Sequence, residues 1–428
     1  MTHLRRAGAV ASVIALALTL ASCGGSSSPK TGAATPPPAP TATRTPTPPG
    51  VWASLSGCGP DVPDAVRIKY QGAPNTDTVQ RSDDCGATWN TVANPQIPGS
   101  PTPNSIIYWS VSAAPIYSDT AFITVLVAGD QQLCSTSLCQ VQYVTTDGGK
   151  TWAPLKLPVP GYLDSLGHEE PPLLTTGTRL YGLVTEALIT VGPGAASKQA
   201  SAPPVTRLVV SEDRGAHWAL CDGLIAAQGL QVAMYAAPSL GSDIYVVAKP
   251  RNDASANPPL SLWVTHEAGQ TWSSAGPTPG SGSAPTREGA AGGVVSAMFA
   301  GEDGSGGASI VYLDVVVDGR ERAMASADAG QTWQGNASLV FSADSNGYSP
   351  TMVGTLPDSS LLIVYPNGDG ATSAWKPGSA PRIVAQNPGF RDFHDPLVVE
   401  ASNGVYLWLS GDFGAAATPG VQYTLLNL

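Results

Sequence analysis

Charge is scarce in this chain of 428 residues. Asp, Glu, Lys and Arg make up 12% of it, 32 acidic residues against 21 basic ones, for a formal net charge of −11. Only seven of the basic residues are lysines. A chain so poor in cations argues against nucleic acid or an anionic membrane surface as its main partner. Cysteine is sparse too, at six, with no C-x-x-C pair and no Cys/His spacing that marks a zinc site. Beyond Cys23 no apolar run reaches the ~18 residues of a membrane-spanning helix. No G-x-S-x-G marks a serine nucleophile, and no stretch has the apolar periodicity of an amphipathic helix. The glycine-rich run Gly301 to Gly307 has the spacing of neither a phosphate loop nor a calcium loop, and no motif calls for a metal or cofactor. What remains is glycine and proline in plenty, 47 and 39, between short runs of β-branched and aromatic residues. That composition describes an all-β chain.

The first residues are of another kind. Arg5 and Arg6 precede an apolar run from Ala7 to Ala21, and small residues follow, so residues 1–22 read as an export signal. The ending Leu20-Ala21-Ser22-Cys23 resembles the bacterial lipobox, which implies lipidation of Cys23 and anchoring to the outer face of the cell membrane. The bland alternative is ordinary signal cleavage beside an incidental cysteine. Gly24 to Ser28 and the Pro/Thr/Ala run Pro29 to Gly50 have nothing bulky to bury; residues 23–50 are a linker, semi-rigid where proline dominates. Residues 51–428 form the folded domain. Losing Arg5 and Arg6 with the signal takes the formal charge to −13. Export permits disulfides: Cys134 and Cys139 are close enough to staple a loop tip, and Cys58 with Cys85 is a second candidate pair. Cys221 is then left odd, although connectivity is not fixed by spacing.

Within the domain one eight-residue pattern recurs. It is S/T-x-D-x-G-x-T-W, at Ser82-x-Asp84-x-Gly86 to Trp89, Thr145-x-Asp147-x-Gly149 to Trp152, and Ser326-x-Asp328-x-Gly330 to Trp333. Two variant copies are Ser211-x-Asp213-x-Gly215 to Trp218, with His217 in place of Thr, and Thr265-x-Glu267-x-Gly269 to Trp272, with Glu in place of Asp. Successive tryptophans are 63, 66, 54 and 61 residues apart, and repetition near a fixed period marks a repeat architecture. The hydroxyl and carboxylate side chains suit capture of nearby backbone N–H groups, the glycine suits positive φ, and the tryptophan returns the chain to a strand. Each copy therefore reads as a structural turn.

These motifs resemble the Asp box, or BNR repeat, of the sialidase-like β-propellers. The resemblance implies a ring of four-stranded blades with the boxes on the face away from the ligand. At about 60 residues per unit the domain holds six blades, with seven as the alternative. Ala371 to Trp375, after Asp369-Gly370, looks like a worn sixth box. The first box has little chain before it and the strands from Pro396 to Ser410 have no box after them. The expectation is that the C-terminal strands complete the blade begun at the N-terminus, hiding the sheet edges.

Loops at the face opposite the boxes bring together Trp109, Glu169, Glu170, Tyr235, Lys249, Arg251, Arg287, Tyr348, Arg391, His394 and Asp395, a polar pocket in prospect. Members of the sialidase family hold a carboxylate with three arginines and attack with a tyrosine activated by a glutamate, chemistry that suits an anionic sugar. By that resemblance Tyr348 is the candidate nucleophile, Glu169 or Glu170 its base, and Arg251, Arg287 and Arg391 the arginine cluster. The family's F/Y-R-I-P signature is absent; Val66-Arg67-Ile68-Lys69 keeps only Arg-Ile. Where an arginine usually follows the glutamate strand this chain has Glu186, and no general acid stands out. A scaffold kept intact beside an incomplete catalytic set points to a monomeric, non-catalytic binder of an extracellular glycan or protein. The alternatives are an exo-sialidase-type glycoside hydrolase and an assembly factor.

Overall fold

The computed structural model describes residues 52–54, 64–72, 78–96, 106–113, 118–128, 138–163, 173–176, 178–186, 205–238, 243–251, 259–279, 295–301, 309–317, 320–341, 350–365, 371–386, 390–401, 404–413, 418–426 and 428. They form antiparallel sheets that follow one another along the chain as the blades of a propeller.

β1 (Trp52–Ser54) comes first in sequence but belongs to the last blade. Blade I follows a short helix α1 (Asp64–Arg67) with β2 (Lys69–Gly72), β3 (Val79–Ser82) and β4 (Asn90–Thr91). Blade II comprises β5 (Ile106–Ala113), β6 (Ala121–Ala128), β7 (Leu138–Thr145) and β8 (Ala153–Pro154). Blade III has a divided inner strand, β9 (Gly161–Leu163) and β10 (Leu174–Thr176), beside β11 (Arg179–Glu186), β12 (Val205–Ser211) and β13 (Ala219–Leu220). Helix α2 (Gly223–Ala227) leads into blade IV: β14 (Leu230–Ala236), β15 (Ile244–Pro250), β16 (Ser261–Thr265) and β17 (Ser273–Pro277). Blade V is β18 (Val295–Gly301), β19 (Ile310–Val317), β20 (Arg320–Ser326) and β21 (Gln334–Val340). Blade VI is β22 (Thr351–Thr355), β23 (Leu361–Val364), β24 (Ala371–Trp375) and β25 (Arg382–Gln386). Blade VII is β26 (Phe390–Ala401), β27 (Gly404–Phe413) and β28 (Thr418–Leu425), with β1 on its outer edge.

Among the described residues the blades number seven, the alternative count, not the six of the main expectation. The C-terminal region contributes three strands where the sequence suggested two, and β1 supplies the fourth, Trp52 opposite Thr424. The first Asp box therefore sits in a separate blade. The worn box is also corrected: Ala371–Trp375 is β24 itself, with Trp375 opposite Leu361. That is the position where an intact box has its opening Ser or Thr, as Ser211 opposite Leu180 shows.

Blades II to VI are buried on both faces, so their middle strands are nearly continuous in apolar residues rather than alternating. Along β11, Leu180 and Val184 pack toward Phe122 and Val144 of blade II, while Tyr181 and Leu183 pack toward Tyr235 and Val246 of blade IV. An aromatic at the start of the second strand recurs as Phe122, Tyr181, Tyr245 and Tyr312, all fully buried.

The Asp boxes are self-contained hydrogen-bonded turns between the third and fourth strands. In the first, Gly86 N–H donates to Ser82 Oγ at 2.8 Å, while Thr88 donates to Asp84 through its backbone N at 2.8 Å and its hydroxyl at 2.6 Å. His217 replaces that threonine without loss, its N donating to Asp213 Oδ1 at 2.8 Å and its Nδ1 lying 2.6 Å from Oδ2. Two successive left-handed residues make the turn, for example Arg214 (φ 62°) and Gly215 (φ 87°). Two of the tryptophans tie their boxes backward, Trp152 Nε1 donating to Ala93 O at 2.6 Å and Trp272 Nε1 to Cys221 O at 2.7 Å, while Trp218 Nε1 donates within its own box to Gly215 O at 3.0 Å.

Hydrogen bonds from Thr88 and Ser82 hold the Asp84 carboxyl down to about 2, and those from Thr332 and Ser326 do the same for Asp328. A carboxylate whose pKa is depressed on folding stabilises the fold fully above its unfolded value and loses that contribution as pH falls through the folded one. The melting temperature is therefore expected to decline between the ordinary carboxylate range and about pH 2. Thermal unfolding of Asp328→Asn against the parent across that range checks it: the gap between them should close with acid.

Cys85 is disulfide-bonded, and Cys221 is buried with its thiol donating to Leu208 O at 3.6 Å. Cys58 and Cys134 lie outside the described residues, and Cys139 sits on β7.

Candidate functional site

Strand register separates the two ends of the blades. In β12, Ser211 opens an Asp box opposite Leu180, whereas Val205 at the other end lies opposite Glu186. The end of β11, the start of β12, helix α2, the start of β14 and the end of β15 therefore share the end away from the boxes. It is here that charge is found below the surface.

Arg207, on β12, lies in an otherwise apolar strand and is nearly covered, at 13% side-chain exposure. A guanidinium in that position needs carboxylates, and the fold supplies two. Its Nε lies 2.9 and 3.1 Å from the two oxygens of Asp222, and Nη2 donates to Asp222 Oδ1 at 2.8 Å. Its Nη1 donates to Glu186 Oε1 at 3.0 Å. Asp222 is itself 1% exposed and accepts the Leu208 backbone N–H at 3.1 Å. Burial works against the charged guanidinium, but the bonds and charges of Asp222 and Glu186 outweigh it and raise its pKa. One cation between two carboxylates leaves the cluster with a formal charge of −1. All three guanidinium nitrogens are engaged by the protein, so the cluster fixes α2 to β12 and disfavours an approaching anion.

Neutral amides continue the work along the same end. Gln231 on β14 accepts the Thr206 N–H at 3.1 Å, joining blades III and IV. Gln142 on β7 mimics a strand, accepting from Leu163 N at 2.7 Å and donating to Leu163 O at 2.9 Å.

The residues expected from the sequence fare differently. Arg251 is at this end, but its Nε donates to Leu230 O at 2.9 Å and its backbone N to Gly229 O, so it also braces α2 and β14. Lys249 lies opposite Gln231. Tyr235 is corrected to a core residue, 2% exposed and donating to Tyr181 O at 3.0 Å. Trp109 is on inner strand β5 opposite Val125. Arg391, His394 and Asp395 are in strand β26 rather than a loop. Tyr348, Glu169, Glu170, Arg287 and Cys23 lie outside the described residues. The two glutamates belong to the chain between β9 and β10, where Leu163 faces Val184 and Leu174 faces Tyr181. The chain takes eleven residues over that step while β11 takes three. The sequence reading missed Arg207 and Asp222, although a lone arginine amid Val205–Ser211 was a usable signal.

The family model described as BNR/Asp-box repeat matches residues 143–154, the second box. No curated protein matches the sequence. Among solved structures the chain is similar to a protein of unknown function from Dyadobacter fermentans, at 14% identity and a TM-score of 0.37, covering 75% of this chain and 94% of that one. It is similar to Penicillium chrysogenum alpha-L-arabinanase at 12% identity and a TM-score of 0.41, covering 77% and 95%. Trypanosoma rangeli sialidase follows at 14% identity and a TM-score of 0.37, covering 80% of this chain and 56% of the sialidase.

Proposed function

We propose that this Asp-box β-propeller is an exported, lipid-anchored module that binds a glycan or protein at the blade ends opposite the boxes, without turning its ligand over. The observation that carries the reading is the use made of arginine there. Arg207 is engaged by Asp222 and Glu186, and Arg251 braces Leu230 through its Nε. Gripping an anionic sugar needs guanidinium edges that face the ligand; these two serve the scaffold. The residual negative charge favours hydroxyl-rich, neutral ligands over carboxylates. Cys23 as the anchor and residues 23–50 as the tether belong to the same proposal.

The competing reading is a sialidase-type hydrolase using Tyr348 with Glu169 or Glu170 and an arginine cluster of Arg251, Arg287 and Arg391. Hydrolysis of a fluorogenic sialoside by the purified chain, beside Tyr348→Phe, decides between them. No turnover by either folded protein is expected, with capture on an array of neutral glycans or surface proteins. Turnover that Tyr348→Phe abolishes would replace binding with catalysis.

A further inference from the structure

Seven blades in a ring meet at seven seams, and among the described residues six of these are filled by apolar clusters. The clusters join each blade to the next, from I to II through VI to VII; blades VII and I share none. Register explains the gap from the side of blade I. In the other box-bearing blades and blade VI, the second-strand residue opposite the last residue of the third strand packs on the preceding blade. It is Ala121, Leu180, Ile244, Val311 and Leu361 in blades II to VI. In blade I that position, opposite Ser82, is Lys69. Two residues on, where blade IV has Val246 and blade V has Leu313, blade I has Gln71, directly opposite Gln80 and donating to its Oε1 at 3.1 Å. Tyr70 turns toward blade II, so Lys69, Gln71 and Gln80 line the other face, half-buried.

Blade VII is built differently again. Val405, Leu407 and Leu409 of β27 pack on blade VI. Tyr406 and Trp408 alternate with them and so lie on the opposite face. There Tyr423 of β28 stacks on Trp408, the ring centroids 4.6 Å apart and the planes at 23°, and Tyr406 is 6.4 Å from each. Trp408 is 5% exposed, yet among the described residues its buried Nε1 meets no acceptor. A buried donor left unmet costs its desolvation. Amides and an ammonium group also gain less from burial than the side chains filling the other seams. The chain itself brings the two blades together: β1, in blade VII, ends at Ser54, and α1, leading into β2 of blade I, begins at Asp64.

We propose that the aromatic face of blade VII closes on the polar face of blade I, and that this seam is the one at which the ring opens. Opening there wets Tyr406, Trp408 and Tyr423 on one side and Gln71 and Gln80 on the other, while the six apolar seams stay shut. Such an event exposes the surface of one seam only, so it lies far below global unfolding in free energy. The inference is independent of whether the protein binds glycans or cleaves them.

The test is native-state hydrogen exchange of the purified full chain, followed by mass spectrometry at low urea. Peptides from β2 and β3 and from β27 and β28 are expected to exchange together. They should do so at least about tenfold faster than peptides from β15, β16, β19 and β20, and with a weak dependence on urea. Gln71→Leu combined with Gln80→Leu gives blade I an apolar face like its neighbours'. It should slow those peptides about tenfold and leave blades III to V within about twofold of the parent. Trp408→Phe keeps the ring stack, drops the unmet N–H, and should slow the same peptides; it decides the matter with the parent's own pattern should the double variant not fold. The proposal is overturned if blades I and VII exchange no faster than the rest. It is equally overturned if β2 and β3 exchange fast while β27 and β28 stay as protected as β15 and β16, which is fraying of a small blade. Folded variants that slow every blade alike, or leave blades I and VII unchanged, overturn it too.

Discussion

Gly215→Ala is expected to destabilise the protein by roughly 3–5 kcal/mol, since strain and overpacking add at one atom. Gly215 sits at φ 87°, and a Cβ there would lie 2.4 Å from Cζ of Phe122 in the preceding blade. Neither side can give way cheaply. The backbone is held by the Gly215 N–H to Ser211 Oγ bond at 2.8 Å, and Phe122 is fully buried against Trp218. The glycine of an Asp box thus serves two ends, the left-handed turn and the seam between blades. Gly149 meets Val92 and Gly330 meets Leu262 in the same manner. Gly223→Ala is the matched control: nothing lies within 4 Å of its added Cβ, so it should stay within about 0.5 kcal/mol of the parent. Chemical denaturation of both variants measures the difference. A Gly215→Ala protein as stable as the parent would mean that blades II and III are not held together through Phe122.

That seam explains which parts of the fold can be read from sequence. A box spans eight residues and satisfies its own hydrogen bonds, so its identity is written locally, and five copies suffice to fix the architecture. The blade count is not local. Blade VI turns at Lys376 to Ser379 without a box, and blade VII is completed by Trp52–Ser54, three residues from the far end of the chain. Nothing in those segments repeats, so counting boxes undercounts blades. Trp375 misleads for a related reason. It is a buried tryptophan packed edge-on to Tyr312 at 5.8 Å, so it plays a box tryptophan's packing role from a strand end. The candidate site is harder still. Arg207 finds Asp222 15 residues on and Glu186 21 residues back, pairings that only sheet register brings about.

The second large effect is expected at that buried cluster, where Asp222→Ala should cost about 3–5 kcal/mol, the usual loss when one partner of a buried pair is removed. The reason is what stays behind. Arg207 would keep Glu186 but lose its two-oxygen partner, and the Leu208 N–H would lose its acceptor inside the blade. Arg382→Ala breaks an ion pair too, yet Arg382 and Asp358 are 44% and 52% exposed at 3.5 Å, so it should cost no more than about 1 kcal/mol. Salt separates the two further, because screening reaches exposed charges and spares covered ones. Raising salt should leave the Asp222→Ala loss nearly intact and erase the Arg382→Ala loss. If Arg207 were instead kept as a ligand-gripping residue, Asp222→Ala would free its guanidinium: stability would change little and affinity for carboxylate ligands would rise. Urea denaturation read beside binding of a simple carboxylate distinguishes the outcomes. A large stability loss with no gain in carboxylate binding assigns the arginine to the scaffold, and with it the case against an anionic sugar at this end of the propeller.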